Sequence, residues 1–222
     1  STVQVRFGRN ALMNDGRWNG TRWAPLTRAA PFPLKALGYH DDGTGPALYA
    51  GGFGAIGTAP LLPIAKLEAD GFKYIGPSVY APSLPVTITD MASFDDGATV
   101  RLVVAGALSS SAPNMQYGLG IFDGSNWTPV TVNGQITAMQ VFDDGVTRRL
   151  VIAGLFSQVA GVNTGCVAAF DGVNWASLSA GIGTFPSPMQ LATFDDGSGP
   201  VLHMAGFVNL SGTWVAFARW NG

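Results

Sequence analysis

Charge is scarce in this chain. Lys, Arg, Asp and Glu make up 12% of the 222 residues, and the formal net charge is −2. The twelve basic residues are scattered and form no patch that could follow a phosphate backbone, which disfavours nucleic acid as a partner. No apolar run approaches the roughly 18 residues that a membrane-spanning helix needs, and no ten-residue stretch keeps a helical period. The single cysteine, Cys166, excludes an intrachain disulfide and a multi-cysteine zinc site. Its setting, "TGCVAAF", is that of a buried, inert thiol in an apolar strand. Only two histidines occur, His40 and His203, and they form no metal-spaced pair. No G-x-S-x-G, H-E-x-x-H or phosphate-cradling loop accompanies them. No signal peptide is present and the chain opens on Ser1, as expected of a mature secreted protein or of a trimmed chain.

What the chain does have is apolar residues and turn formers. The apolar content is 47%, enough to support a core, and thirty glycines with fourteen prolines fill roughly a fifth of the sequence. That balance points to an all-β protein of many short strands rather than to disorder. A repeat carries the signal further. Asp-Asp-Gly begins at Asp41, Asp95, Asp143 and Asp195, at spacings of 54, 48 and 52 residues. A second signature runs in phase: "NGTRW" at 19–23, "DGFKY" at 70–74, "DGSNW" at 123–127 and "DGVNW" at 171–175. The closing "RWNG" at 219–222 copies "RWNG" at 17–20.

Each unit reads as four strands. In the third, "GQITAMQVF" is strand a, "RRLVIAG" strand b, "CVAAF" strand c and "NWASL" strand d. Asp-Gly between apolar runs is a strong hairpin signal, because glycine accepts the positive φ of primed turns. Strand b is a continuous apolar run, as expected where both faces are covered. Four-stranded units repeated about every 50 residues indicate propeller blades. On these motifs the chain resembles kelch-like β-propellers, and especially secreted bacterial repeat proteins of the FDDG…LYAGG…WDGxxWxxL type. The resemblance covers nearly all of residues 17–222 and implies an all-β propeller of four-stranded antiparallel blades. The glycine doublet after strand b survives only at Gly51–Gly52; elsewhere it is Ala105–Gly106, Ala153–Gly154 and Ala205–Gly206. Small residues at both positions satisfy a close approach between neighbouring blades.

Residues 1–222 read as one propeller domain with repeat units at about 19–69, 70–122, 123–170 and 171–222. Five blades, with incomplete ones at both ends, are favoured over four. In the four-blade alternative the N-terminal strand d, "TRWAPL", closes the final blade. Either count leaves terminal strands available for self-association.

Eleven of the fourteen acids fall at the a–b and c–d turns, which share one face: Asp41, Asp42, Asp70, Asp95, Asp96, Asp123, Asp143, Asp144, Asp171, Asp195 and Asp196. The DDG acids are read as structural, Asp bonding to nearby backbone amides. Calcium is the weaker reading, since adjacent aspartates diverge and no EF-hand pattern is present; no metal ligand or cofactor is assigned. His40 stands where Phe94, Phe142 and Phe194 stand, and His203 where Tyr49, Val103 and Val151 stand, so both are packing residues. Trp23, Trp127 and Trp175, with Tyr74, recur at one position and are read as packing rather than sugar-stacking residues. Sequons occur at Asn19, Asn126 and Asn209.

The opposite face carries the variable b–c and d–a loops, rich in Pro, Ser and Gly. Phe32, Tyr80, Met115, Tyr117 and Phe185 are its candidate ligand-binding residues. The expected function is a non-catalytic, extracellular or periplasmic binding module that engages a protein partner through this loop face. A lectin with repeated inter-blade sites is the alternative, and a secreted hydrolase or lyase a weaker one.

Overall fold

The computed structural model describes residues 5–6, 16–25, 30, 32–53, 62–76, 87–107, 117–180, 182 and 187–220. Among them every regular element is a β-strand, every pairing is antiparallel, and no helix is long and apolar enough to cross a membrane. Three short strands come first: β1 (Val5–Arg6), β2 (Gly16–Trp18) and β3 (Trp23–Pro25). Four larger sheets follow in chain order. The first is β4 (Leu34–Asp41), β5 (Pro46–Gly52), β6 (Ile64–Glu68) and β7 (Gly71–Tyr74). The second is β8 (Thr87–Asp95), β9 (Val100–Ala107), β10 (Tyr117–Phe122) and β11 (Trp127–Val132). The third opens with β12 (Gln135–Asp143) and β13 (Arg148–Leu155). A small hairpin follows, β14 (Gln158–Val159) and β15 (Val162–Asn163), before β16 (Val167–Phe170) and β17 (Trp175–Ser177) complete the third sheet. The fourth is β18 (Ser187–Asp195), β19 (Pro200–Leu210) and β20 (Thr213–Arg219).

The first three of these are up-and-down meanders in strand order, and the fourth lacks the last strand. β3 pairs with β2, Trp18 opposite Trp23, and so belongs to the N-terminal sheet rather than to the edge of β20. The β14–β15 hairpin leaves its own sheet and adds to β11, giving the second sheet six strands. Asn133 fixes this latch: its Oδ1 accepts from the amides of Ser157 and Gln158, each at 2.9 Å. The turn at its tip puts Ala160 and Gly161 at φ 50° and 81°, as a primed two-residue hairpin requires.

Successive sheets stack face to face through their first two strands, first on second, second on third, third on fourth. Each therefore has a leading face, toward the next sheet, and a trailing face, toward the one before. Between the second and third sheets Phe94, Val103 and Leu119 meet Ile136, Leu150 and Ile152. Between the third and fourth Phe142, Val151 and Val167 meet Leu191, Leu202 and Met204. Tyr49 and Ile64 meet Ile88, Leu102 and Val104 between the first and second. Each such side chain contributes about 1.5–3 kcal/mol by leaving water.

All four sheets share an irregularity at one place. The register slips by one residue at Lys35, Thr89, Thr137 and Met189, the second or third position of each opening strand. The same slip explains the glycine after strand b. A Cβ on Gly52, Gly106 or Gly154 would lie 1.8, 1.6 or 2.0 Å from the carbonyl oxygen of Pro33, Thr87 or Gln135. At this second position the close approach is made by the chain at the opening strand of the same sheet, whereas at Gly51, the first of the doublet, it is made by the neighbouring sheet, whose Ile88 side chain would lie 2.5 Å from a Cβ. The residue before that glycine points to the leading face, where alanine fits as at Ala105 and Ala153.

Gly154→Ala should therefore lower stability by about 1–3 kcal/mol or more, because a backbone carbonyl cannot move aside as a side chain can. Ala160→Asn should raise it by about 0.4–1 kcal/mol, since Asn tolerates the left-handed region better. Urea unfolding midpoints of the two variants against the parent chain test both.

Candidate functional site

In the acidic turns one oxygen of each carboxylate accepts backbone amides. In all four DDG turns the first Asp Oδ1 accepts the amide of the glycine two residues on, at 2.8–2.9 Å. The second Asp does the same one residue later, to Thr44, Ala98, Val146 and Ser198. Asn19, Asp123 and Asp171 repeat the motif at the c–d turns. These amide bonds hold the Asp123, Asp144 and Asp171 carboxyls below their ordinary range. The two kinds of turn also touch across a junction: Arg101 pairs with Asp96 and donates to the Gly172 carbonyl at 2.9 Å. Among the described residues no group of three His, Cys, Asp or Glu side chains is arranged to hold a metal ion.

The first sheet departs from the others at its junction with the second. Lys66 replaces an apolar residue on the leading face, and its Nζ reaches Asp42 Oδ2 at 2.7 Å and Thr44 Oγ1 at 2.7 Å. The Tyr49 hydroxyl donates to the same Asp42 oxygen at 2.8 Å. Burial works against the Asp42 charge, but Lys66, Thr44 and Tyr49 outweigh it and hold the carboxyl well below its usual value. Burial, then the Asp42 charge, pushes Tyr49 up; burial alone pushes Tyr74 up to about 12. His40 is fully enclosed, its Nδ1 2.9 Å from Ser93 Oγ and its Nε2 without a partner. Burial lowers its pKa and keeps it neutral, against the pull of Asp42 and Asp41. A serine and a histidine thus lie in contact, but inside a junction that solvent does not reach.

Asp90 was missed by sequence reasoning. It sits on β8 just after the register slip, where Ala36, Ala138 and Gln190 stand in the other sheets. Its Oδ1 accepts from the Met91 amide and its Oδ2 from the Met139 amide of β12, both at 2.9 Å. Burial raises its pKa, and the two backbone bonds only partly offset that. Its role is to tie the second sheet to the third. The only signal in the sequence was an acid outside any turn.

Of the candidate ligand-binding residues, Tyr80, Met115 and Phe185 lie outside the described residues. Phe32 is buried against Leu34, Ala50, Ala65 and Phe72 and is a packing residue, not the exposed contact the sequence suggested. Tyr117 is half-buried at the start of β10. The recurrent aromatic needs a correction too. Trp127 pairs with Phe122 and Trp175 with Phe170, the rings stacked at 4.9 Å, but in the first sheet Leu67 pairs with Phe72. Phe72, not Tyr74, holds that place, because Asp-Gly lies two residues later within this turn. Cys166 is buried in the turn just before β16, and burial raises its thiol pKa.

The surface that stands out is the leading face of the fourth sheet. Phe194 occupies the register of Phe94 and Phe142, which are 0% and 2% exposed, yet it is 63% exposed. Phe217, in the place of Leu119 and Val167, is 61% exposed. His203 lies between them, its ring 5.2 Å from Phe217 and 6.4 Å from Phe194. Phe207 and Trp214 stack at 4.2 Å farther along the same hairpin, and both are exposed. Among the other hollows are a small apolar gap between the third and fourth sheets, lined by Leu178, Leu191 and Met204 among others, and two grooves on the turn face, one polar and one of mixed lining.

Asp42→Asn removes a charge that Lys66 and Tyr49 both use. At pH 7 it should cost about 1.5–3 kcal/mol for each charge-assisted bond weakened. The Asp42 pKa is lower in the folded chain than the roughly 4 of an unfolded one. Its contribution is therefore complete above pH 4 and lost as the pH falls through that value toward the folded pKa. Thermal melts of parent and variant should differ most near neutrality and converge below pH 4.

In comparisons with known proteins the chain matches no family model, no curated protein and no solved structure.

Proposed function

We propose that this chain is a kelch-like β-propeller serving as a non-catalytic binding and assembly module outside the cytoplasm, and that its ligand is another protein. The observation that carries this reading is the aromatic face of β18–β20. Contiguous exposed aromatics on a sheet face are a costly arrangement for a surface that meets only water, and aromatic residues are enriched where proteins bind one another. Five separate sheets, incomplete at both ends of the described chain, favour five blades over four. The b–c and d–a loops remain the proposed second contact surface.

A lectin with one site per repeat would need equivalent pockets at equivalent junctions. The two grooves on the turn face differ: one is polar, lined by Thr99, Arg101, Asp123 and Asn126, the other mixed, lined by Phe142, Asp144, Ser198 and Trp220. A hydrolase or lyase would need a reactive group that substrate can reach. His40 is enclosed, and burial favours the protonated, unreactive Cys166 thiol.

A glycan panel with calcium and with chelator, on protein of known solution mass, tests the choice. No saturable sugar binding, together with complex formation that Phe217→Asp abolishes, is the expected result. Saturable binding of several sugars per chain would replace this reading with the lectin, and its loss with chelator would return the aspartates as ligands.

A further inference from the structure

We propose that the partner of the fourth sheet's leading face is a second copy of this chain, seated head to tail through the trailing face of its own first sheet; this rests on the protein-partner reading above and names the partner. The argument is continuity with three junctions already in the molecule. At each, the phenylalanine or histidine before Asp-Asp-Gly and the following strand's apolar residue face a pair of aliphatic residues on the next sheet. Those pairs are Met91 with Leu102, Met139 with Leu150, and Leu191 with Leu202, all buried.

In the first sheet the same two register positions are Leu37 and Leu48. They are only partly buried, and Tyr39, which pairs directly with Leu48, is 64% exposed. Phe32 packs beside Leu34 and Ala50 at the far end of this trailing face and Phe72 pairs with Leu67 on its outer strands, so that the half carrying Leu37, Leu48 and Tyr39 is the more open one. That open half is the one Phe194, His203 and Phe217 would meet if the stacking continued. The chain thus carries both halves of one interface at opposite ends of its stack. Among the described residues no substantial contact joins the first sheet to the fourth, so the halves do not meet within one copy. Pairing two leading faces by a two-fold axis would set ring against ring, an arrangement that none of the three junctions uses. Head-to-tail contact is heterologous, so it propagates into open chains or closes into a ring.

Sedimentation velocity from about 1 to 100 µM tests it, with Phe194→Asp and Tyr39→Asp as variants. Both side chains are exposed in the single copy, so each variant should melt as the parent does. The parent should grow past the dimer with concentration. Each variant alone should remain at the mass of one chain. An equal mixture should stop at the dimer, because one variant keeps an intact trailing face and the other an intact leading face. Loss of assembly with Phe194→Asp but not with Tyr39→Asp would overturn the head-to-tail contact in favour of two-fold pairing. A one-chain mass for the parent at 100 µM would overturn the second copy altogether. Maleimide labelling of Phe194→Cys then separates the two readings, since Cys166 is buried and silent. Rapid labelling leaves the face open to a different protein, whereas protection means that the chain covers it and the protein-partner reading fails as well.

Discussion

Each of the four large sheets in this protein has two apolar faces, and a thin antiparallel sheet cannot hide both by itself. The fold follows from that constraint. Each of the first three large sheets buries its leading face on the next, and the opening strand supplies most of the contact. Such stacking gives each junction an independent store of buried area, much as in other repeat architectures. It also means that the stack has ends. An interior sheet with Phe142 on its leading face is stabilised by its neighbour; the same sequence position in the last sheet, Phe194, is left facing water. The exposed aromatics are therefore not a local accident of β18–β20. They are what the repeat produces where no following sheet stands among the described residues.

The turns make this stacking possible without competing with it. The Asp side chains accept the amides that the tight turns leave without strand partners, which keeps the hairpins short. Short turns let consecutive sheets approach closely enough for Arg101 to reach Asp96 and the Gly172 carbonyl across a junction. The slip in each opening strand and the glycine opposite it serve the same end at the other edge of the sheet. There the opening strand bends so far toward its partner that no Cβ fits.

Much of this was legible beforehand because the repeat makes each residue type vote four times. Asp-Asp-Gly marked the first hairpin of every sheet, and the apolar run after it marked the second strand. The meander order and the packing position of His40 followed from the same alignment, whereas His203 is half-buried between the exposed Phe194 and Phe217. What failed did so where a repeat is broken. Asp-Gly at 70–71 lies two residues later in its turn than its counterparts, so alignment on that dipeptide put Tyr74 in the place that Phe72 holds. The Asp42–Lys66–Tyr49 cluster and Asp90 escaped notice because each occurs in one sheet only, and a single substitution carries no periodic signal. Phe32 looked exposed because it lies among prolines, whereas its ring fills a corner of the first sheet's trailing face. The β14–β15 hairpin was hidden for another reason. Its role depends on reaching back to β11 in the sheet before, a pairing set by tertiary proximity and not by local pattern.

Polar and apolar surfaces are consequently divided in a way that bears on recognition. The turn face is rich in carboxylates, but one oxygen of each already accepts backbone amides, which fixes the side chains in the service of the turns. Buried polarity is likewise committed: Asp42 to Lys66 and Tyr49, Asp90 to Met91 and Met139. The leading face of β18–β20 is less committed: beside Arg219, which acts on the Asp196 charge, Phe194 and Phe217 meet no further sheet among the described residues and His203 Nδ1 is buried without a hydrogen bond. Covering such a face costs the molecule few existing interactions and removes a large apolar area from water. The free energy available for binding is greatest there, because elsewhere the chain has already used its polar groups to build itself.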